Sequence, residues 1–367
     1  MWRRILTAFI LVAAVLGSGC LGEFLHPSVV PPAIVPVEGT VLDHTPVYTF
    51  AFGEGKETIR IDPDPAVYAG AKGADRQFYL SETLSEEEWI PIYYLAFVND
   101  SHQEPFYADL LAALREVRDR EGLDDDRYLE LIAAFVQFIP YRTDASIVEP
   151  KFPIEIYVDG EGDCDDKSLL LAGLLAREGY GVALLYFGDE AHMAVGVKSA
   201  GCLYRNTSFA YIEATNTSYI GIPPAALGDG TVLSSNPLVI PVGDGARSYT
   251  ACGDIETIER ALSVSRDCVE KLEPELAART RDLEAQEDAL ASLAARMEAL
   301  SRAGEIQEYN RLVMEYNRMV GVYNDAAGSY NVLREDVQAA VDLHNYLATH
   351  AHDRPGSSLR ARDYLAA

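Results

Sequence analysis

A seven-residue repeat in the C-terminal part of the chain constrains its fold more than any other feature of the sequence. In a first array, an apolar residue recurs at every seventh position, namely Leu262, Val269, Leu276, Leu283, Leu290 and Met297. A second array follows Gly304, where a Tyr-Asn pair recurs with the same period, beginning at Tyr309, Tyr316, Tyr323 and Tyr330. Apolar heptads specify coiled-coil packing, and the glycine between the arrays indicates two antiparallel helices. We therefore expect residues 251–352 to form a long helical hairpin.

Three further expectations concern this hairpin. Pro274 is expected to kink or restart the first helix. Tyrosine is bulky and keeps a polar hydroxyl, so the Tyr stripe suits the edge of the helical seam. Packing within the hairpin is the simpler interpretation of this stripe, and self-association through an exposed face remains an alternative. Residues 353–367 are polar and are predicted to be loose.

The first 20 residues have the pattern of an export signal. Two arginines precede a short apolar run, Ile5 to Leu16, which is too short to span a bilayer. The run ends in Gly19-Cys20, which resembles a lipobox and predicts lipidation at Cys20. Gly17 stands where a lipobox usually carries Leu, so an uncleaved anchor and plain secretion remain alternatives. Residues 21–45 are predicted to form an extended tether. The expected location is the outer face of the cytoplasmic membrane or the cell surface.

Composition and charge exclude some partners. Hydrophobic residues make up 49% of the chain, which is enough for a packed core. The net charge is -27, from 57 acidic and 30 basic residues. Nucleic acids and anionic lipid surfaces need concentrated Lys and Arg, so neither is an expected direct electrostatic partner.

Residues 46–250 read as a separate α+β domain. Its first part, residues 46–80, predicts strands or loops. Apolar residues at helical spacing predict helices within 83–120, 124–139 and 164–178. Short β-branched runs predict strands at 182–187 and 193–197 and within 203–215. Helices followed by strands indicate an α+β arrangement, with the stretch between residues 141 and 162 as a loop.

The stretch from Gly162 to Ser168 carries the strongest chemical signal. Cys164 opens an apolar helix, where the positive end of the helix dipole stabilises a nucleophilic thiolate. Asp163 is suited to cap this helix, and the first backbone amides could receive an oxyanion. Asp165 and Asp166 oppose thiolate formation. A partner imidazolium is therefore required.

His192 and Glu213 are the candidate partners of that cysteine. His192 stands at the start of a predicted strand, and it is the one histidine of seven inside the predicted core. Glu213 stands at the end of the next strand, where a carboxylate can orient the imidazole. A histidine at a strand mouth can face a cysteine at a neighbouring helix mouth. The order Cys164, His192, Glu213 thus predicts a catalytic triad.

This order of residues resembles the transglutaminase-like superfamily of papain-type cysteine enzymes, over about residues 126–216. Gly162-Asp163-Cys164-Asp165-Asp166 resembles the family's nucleophile motif, and His192 matches its histidine. Glu213-Ala214-Thr215 aligns with the family's Asp-Pro-Thr. The segments around the nucleophile helix that also look similar are Phe138-Ile139-Pro140-Tyr141 and Phe152-Pro153-Ile154-Glu155.

The resemblance implies a papain-like core and an acyl-thioester on Cys164. Its implied activity is hydrolysis, or acyl transfer, at a peptide or amide bond of a protein or peptide substrate. Glu213 replaces the family's Asp. The alternative function is therefore a catalytically weak or inactive surface protein that uses this domain and the coiled coil for protein interaction.

No metal or cofactor is predicted. Asp159, Glu161, Asp163 and Asp165 alternate as in a calcium loop, but Cys164 stands where such a loop needs Gly and no Glu follows at its twelfth position. No Cys and His spacing suggests zinc. Among the three remaining cysteines, a continuous helix would keep Cys252 and Cys268 apart. A disulfide from Cys202 to either of them is the expectation.

Overall fold

The computed structural model describes residues 30–78, 84–143 and 149–367. The predicted signal, the lipidation site Cys20 and the first part of the tether lie outside these ranges. The described chain divides into two compact units. One is a mixed α/β unit formed mainly by residues up to Tyr249, and the other is a helical unit from Thr250 onwards. The helical unit also takes in the short segments Phe52–Gly55 and Ser218–Ile222.

The architecture is α+β, with the helices of the first unit mostly preceding its main sheet. The elements before the candidate cysteine are β1 (Tyr48–Phe52), β2 (Gly55–Ile59), α1 (Pro65–Lys72), α2 (Glu86–Asn99), a 3-10 turn (Ser101–Gln103), α3 (Glu104–Glu121), α4 (Asp125–Phe138) and α5 (Pro153–Asp159). The elements from it onwards are α6 (Cys164–Arg177), β3 (Gly181–Phe187), β4 (His192–Lys198), β5 (Phe209–Ile212) and β6 (Leu238–Asp244).

Helix α6 lies at the centre of this unit. It packs against the antiparallel sheet, whose strand order is β5-β4-β3-β6, and against α4 and α5. Its apolar residues have no exposed surface, namely Leu169, Leu170, Leu171, Leu174 and Leu175. In the sheet, Phe187 of β3 pairs with His192 of β4, and Val195 of β4 pairs with Ile212 of β5. This register places the start of β4, at His192, and the end of β5, at Ile212, at the same end of the sheet, near the start of α6.

Three elements differ from the sequence-based expectation. Residues 46–80 contain helix α1, whose first turn is set by Pro65 and by Asp64, which accepts from the Ala66 amide. The expected loop 141–162 contains α5, whose start is fixed when the Phe152 amide donates to Glu155 at 2.9 Å. Strand β6 was not predicted, because its residues are ordered by pairing with the distant β3.

The second unit is a helical hairpin with a short third helix. Helix α7 (Cys252–Ala303) and helix α8 (Ile306–Thr349) pack along each other, and Gly304 ends α7 in a left-handed conformation, with φ of 75°. Arg279 of α7 donates to the Ser329 carbonyl of α8, and Arg296 pairs with Glu308 nearer the turn. Residue numbers that fall on one helix as they rise on the other define an antiparallel arrangement.

The Tyr stripe lies at the edge of the seam in this hairpin. All four of its tyrosines are half-buried, whereas the asparagine that follows each one is exposed. Leu312 and Leu333 of the same repeat are buried. The polar hydroxyl therefore stays near the surface, as the Tyr323 hydroxyl does in its hydrogen bond to Glu287 of α7.

Two expectations for this unit need correction. Of the two effects expected of Pro274, a restart is excluded, because α7 is one helix of 52 residues through this position, and a kink stays a prediction. The C-terminal residues are not loose but form α9 (Arg354–Ala366). Asp254 of α7 fixes this helix, since its carboxylate pairs with Arg354 and Arg362 and accepts from the Ser358 hydroxyl.

The described cysteines differ in oxidation state: Cys202 and Cys252 are disulfide-bonded, whereas Cys164 and Cys268 are free thiols. Of the two expected partners for Cys202, Cys268 is thus excluded. No helix within the described ranges is both long enough and apolar enough to cross a membrane.

Candidate active site

The Gly-Asp-Cys-Asp-Asp motif builds the start of helix α6. Asp163 is the N-cap and accepts from the Asp166 amide at 3.3 Å. Asp166 in turn accepts from the amides of Asp163, at 3.2 Å, and Lys151, at 2.6 Å. A Cβ on Gly162 would lie 2.9 Å from the Cβ of Asp166, so a larger residue would force this turn apart. The motif therefore presents Cys164 as the first residue of a capped helix.

Strand β4 holds His192 beside this helix start. The Met193 amide donates to the Cys164 sulfur, and the Ser168 hydroxyl donates to the Met193 carbonyl at 3.1 Å. Both polar groups of Met193 are thus bonded to α6, one residue away from His192. Ala191 enters the strand with φ of 46°, a left-handed conformation that non-glycine residues rarely adopt. The backbone after His192 is therefore bonded to the helix that carries Cys164.

Glu213 meets His192 at the end of β5. The His192 Nε2 atom lies 3.3 Å from Glu213 Oε2, and both side chains are almost fully buried. The other carboxylate oxygen accepts from the Thr215 amide at 3.0 Å and from its hydroxyl at 2.6 Å. Burial disfavours the charged carboxylate, but the His192 contact and the Thr215 donors outweigh it and lower the pKa of Glu213 to about 2. Glu213 is therefore ionised at neutral pH.

Tyr211 is a site residue that the sequence analysis missed. Its hydroxyl donates to Glu213 Oε2 at 2.7 Å and lies 3.3 Å from His192 Nε2. Residues two apart on a strand share a face, so the spacing of Tyr211 and Glu213 was the signal that could have found it. Tyr211 and Glu213 together contact Nε2. Among the described residues no hydrogen bond reaches Nδ1, which leaves that nitrogen available as a base.

The thiol of Cys164 is neutral in the resting site. Burial, followed by the charge of Asp165, raises its pKa to about 12, although the amides of Met193 and Asp165 act in the opposite direction. Burial and a hydrogen bond with Asp163 also raise the pKa of Asp165 itself. A thiolate would therefore form when a base removes the proton, and the dipole of α6 would not by itself produce it.

All three predicted residues line one cavity of about 650 Å³ in the α/β unit. Its other walls come from Tyr141, from the turn containing Glu190, and from the segment between Pro224 and Asp229. Glu190 accepts hydrogen bonds from the amides and hydroxyls of Ser234 and Ser235, which lower its pKa to about 2. No Lys or Arg is among the described residues that line this cavity.

A group of potential metal ligands lies at the same helix start. Ligand atoms of Asp163, Cys164 and Asp165 lie within 4.8 Å of one another. Asp159, the first residue of the calcium-like pattern, pairs with Lys72 at 3.0 Å and accepts from the Tyr68 hydroxyl at 2.7 Å. Asp159 is therefore bonded to Lys72 and Tyr68, whereas Asp163 and Asp165 lie in the group beside Cys164.

The chain was compared with protein-family models, curated proteins and solved structures, and none of them matches. Cys164, His192 and Glu213 all line the one cavity, where the carboxylate of Glu213 contacts the imidazole of His192.

Proposed function

We propose that this chain is a thiol-dependent enzyme of the transglutaminase-like type, which hydrolyses a peptide or amide bond or transfers its acyl group. The observation that carries the proposal is the contact of ionised Glu213 with His192 Nε2 in the cavity that Cys164 also lines. A carboxylate on Nε2 keeps the proton on that nitrogen and leaves a lone pair on Nδ1. The papain-like identity of the core belongs to the same proposal, supported by the helix, strand, strand order of the triad.

The reaction begins when Nδ1 of His192 accepts the proton of the Cys164 thiol. The sulfur forms a bond to the substrate carbonyl carbon, and the carbonyl electron pair moves onto oxygen. The backbone amide of Cys164, the first residue of α6, is suited to receive this oxyanion, whereas the Asp166 amide is bonded to the Asp163 cap. Collapse of the intermediate breaks the C–N bond, and the imidazolium gives its proton to the leaving amine. A thioester remains on Cys164.

The second half of the reaction releases the acyl group. Water gives a proton to His192 and attacks the thioester carbon, and the proton then returns to the leaving sulfur. The product is a carboxylic acid, and the thiol is restored. An amine in place of water would give acyl transfer by the same steps. Hydrolysis is the simpler reaction, because it needs no second substrate.

We further propose an exported location with a lipid or signal anchor at the N-terminus and a protein or peptide as the substrate. The leader sequence supports export. The disulfide-bonded state of Cys202 and Cys252 also supports it, because such bonds persist mainly in oxidising compartments.

Self-association through the hairpin is a further proposal, which light scattering of the full chain tests.

One observation favours the alternative function, a surface interaction protein. The raised pKa of the Cys164 thiol and the adjacent carboxylates disfavour a reactive thiolate. Labelling with iodoacetamide separates the two functions, with the free thiol Cys268 as the internal comparison. An enzyme requires Cys164 to react faster than Cys268 at neutral pH and to lose this advantage in the His192→Ala variant. Equal rates, independent of His192, would favour the interaction protein.

A further inference from the structure

Lys167 is a buried cation directly beneath the candidate site. It lies one turn after Cys164 on α6, and its side chain has no exposed surface. Its Nζ donates to the carbonyls of Ile139 at 2.6 Å, Gln137 at 3.2 Å and Thr215 at 3.2 Å. An ammonium group has three N–H donors, so these three acceptors satisfy it. None of them belongs to a carboxylate.

Such a group is costly to bury. Removing an ammonium from water disfavours its charged form, and burial accordingly lowers the pKa of Lys167 to about 8. The positions one turn further along α6 are the apolar Leu170 and Leu171, but an apolar side chain at Lys167 would leave three carbonyls without their donor, those of Gln137, Ile139 and Thr215. The position of Lys167 therefore calls for a role beyond packing.

The three carbonyls lead to Glu213. Thr215, whose carbonyl accepts from Lys167, donates both its amide and its hydroxyl to Glu213 Oε1. Gln137, whose carbonyl also accepts from Lys167, donates its side-chain amide to the Glu213 carbonyl at 2.8 Å. The backbone of Glu213 and that of Thr215 are thus each bonded, directly or through one residue, to the helix that carries Cys164.

We propose that Lys167 is a positioning residue, which holds the segment of Glu213 and Thr215 so that the carboxylate faces His192. The inference rests on the proposed function, since it assigns Lys167 to the orientation of the same triad. Lys167 is not itself a lining residue of the cavity, but its Nζ bonds to the carbonyl of Thr215, which is one. It acts through Thr215 and Gln137, and its loss would free the acid from the nucleophile helix without changing any residue of the triad.

A double-mutant cycle on the full chain tests this role. The variants are Lys167→Met, which keeps the length of the side chain, Glu213→Gln, and the two combined. The measured quantity is the rate constant for iodoacetamide labelling of Cys164 across the pH range. If Lys167 acts through Glu213, each single change slows labelling about tenfold or more with a similar change of pH profile, and the double variant is no slower than Glu213→Gln. A double variant whose labelling rate constant is reduced by the product of the two single reductions would overturn the proposal.

A spectroscopic measurement keeps the test independent of reactivity. The Nε2–H proton of His192, bonded to Glu213, should give a protected low-field proton resonance in the unaltered chain. Lys167→Met should weaken or abolish this resonance, as Glu213→Gln does. An unchanged resonance in Lys167→Met would contradict the inference, whatever the labelling rates.

A second variant covers the case in which Lys167→Met does not fold. Gln137→Met removes the other side-chain bond to this segment and keeps the ammonium, and the same cycle with Glu213→Gln applies to it. Labelling of the unaltered chain that is slow and independent of His192 would count against the proposed function. Labelling that depends on His192, combined with multiplying losses, would count against the positioning role alone.

Discussion

Glu213 stands where the proposed transglutaminase-like pattern has Asp, and its side chain is one methylene longer. Its longer stem is held at both carboxylate oxygens, one by Thr215 and the other by Tyr211 and His192. A carboxylate fixed at two ends has little freedom, so the additional methylene does not loosen the contact with Nε2. The replacement is therefore compatible with an oriented imidazole.

Replacing Glu213 by Gln should slow the labelling of Cys164 by a factor on the order of 10², because a neutral amide cannot stabilise the imidazolium that forms when His192 takes the proton. Iodoacetamide kinetics at neutral pH measure this effect. The control is Glu190→Gln. Glu190 also lines the cavity, but its carboxylate accepts from Ser234 and Ser235. A Glu213→Gln variant as fast as the control would remove Glu213 from the triad.

The ionisation of Glu213 also predicts a pH dependence of stability. Its pKa is lowered from 4.5 to about 2, so the stabilisation is fully present above pH 4.5 and is lost as the pH falls toward 2. The shift corresponds to about 3 kcal/mol in the free energy of unfolding. Denaturation followed by Trp89 fluorescence, in a Trp2→Phe background, should show the difference between the unaltered chain and Glu213→Gln shrinking by about this amount between pH 5 and pH 2. A difference that stays constant with pH would contradict the assignment.

At the scale of secondary structure, the start of α6 depends on one close approach. A Cβ at Gly162 would meet Asp166 at 2.9 Å, and part of this contact is with a buried, hydrogen-bonded side chain that cannot easily move. Gly162→Ala should therefore lower the free energy of unfolding of the α/β unit by about 1–3 kcal/mol and slow Cys164 labelling.

The matched control for this change is Gly321→Ala in α8, where a new Cβ has no atom within 4 Å. Alanine is a better helix former than glycine, so the control should stabilise the hairpin by about 0.5–1 kcal/mol and leave labelling unchanged. Trp89 fluorescence follows the α/β unit alone, whereas far-UV circular dichroism follows the helices of both units. Equal effects of the two substitutions on labelling would show that Gly162 has no special role.

Elements with strong local signals were predictable from the sequence. Helix α6 has an N-cap, an apolar repeat and a stop, and the heptads of α7 and α8 are unambiguous. Strand β6 and helix α5 were not predicted, because the first depends on pairing with β3 and the second is a short turn fixed by Glu155. Tertiary contacts decide such elements.

The candidate site was predictable to a similar degree. Cys164, His192 and Glu213 stand out because reactive residue types occur in a meaningful order. Lys167 and Tyr211 do not, since a lysine usually marks a solvated position and a tyrosine in a strand usually marks packing. Only the folded arrangement brings carbonyls around the ammonium and a hydroxyl against the carboxylate.

At the scale of the whole molecule, charge should select what reaches the thiol. The net charge is -27, and the walls of the cavity carry Glu190 and Asp229. Hydrogen bonds from Thr231 lower the pKa of Asp229, so that it is ionised at neutral pH. A negative potential concentrates cations near the site and repels anions, and salt screens both effects.

The prediction is that a cationic methanethiosulfonate reagent labels Cys164 about tenfold faster than an anionic one at low salt, after each rate is divided by that for Cys268. The ratio should fall at high salt and in the Asp229→Asn variant. A ratio near one, or one that does not respond to Asp229, would show that the cavity walls do not select charge.

Mapping the covalent intermediate tests whether Cys164 is a nucleophile that His192 activates. The full chain is incubated with an activated ester such as p-nitrophenyl acetate, quenched in acid and digested, and the acetylated residue is identified by mass spectrometry. We expect a transient acetyl group on Cys164 that is absent from Cys164→Ala and strongly reduced in His192→Ala, with Cys268 unmodified on the same timescale. Acetylation confined to other residues, or equal acetylation of Cys164 without His192, would contradict it.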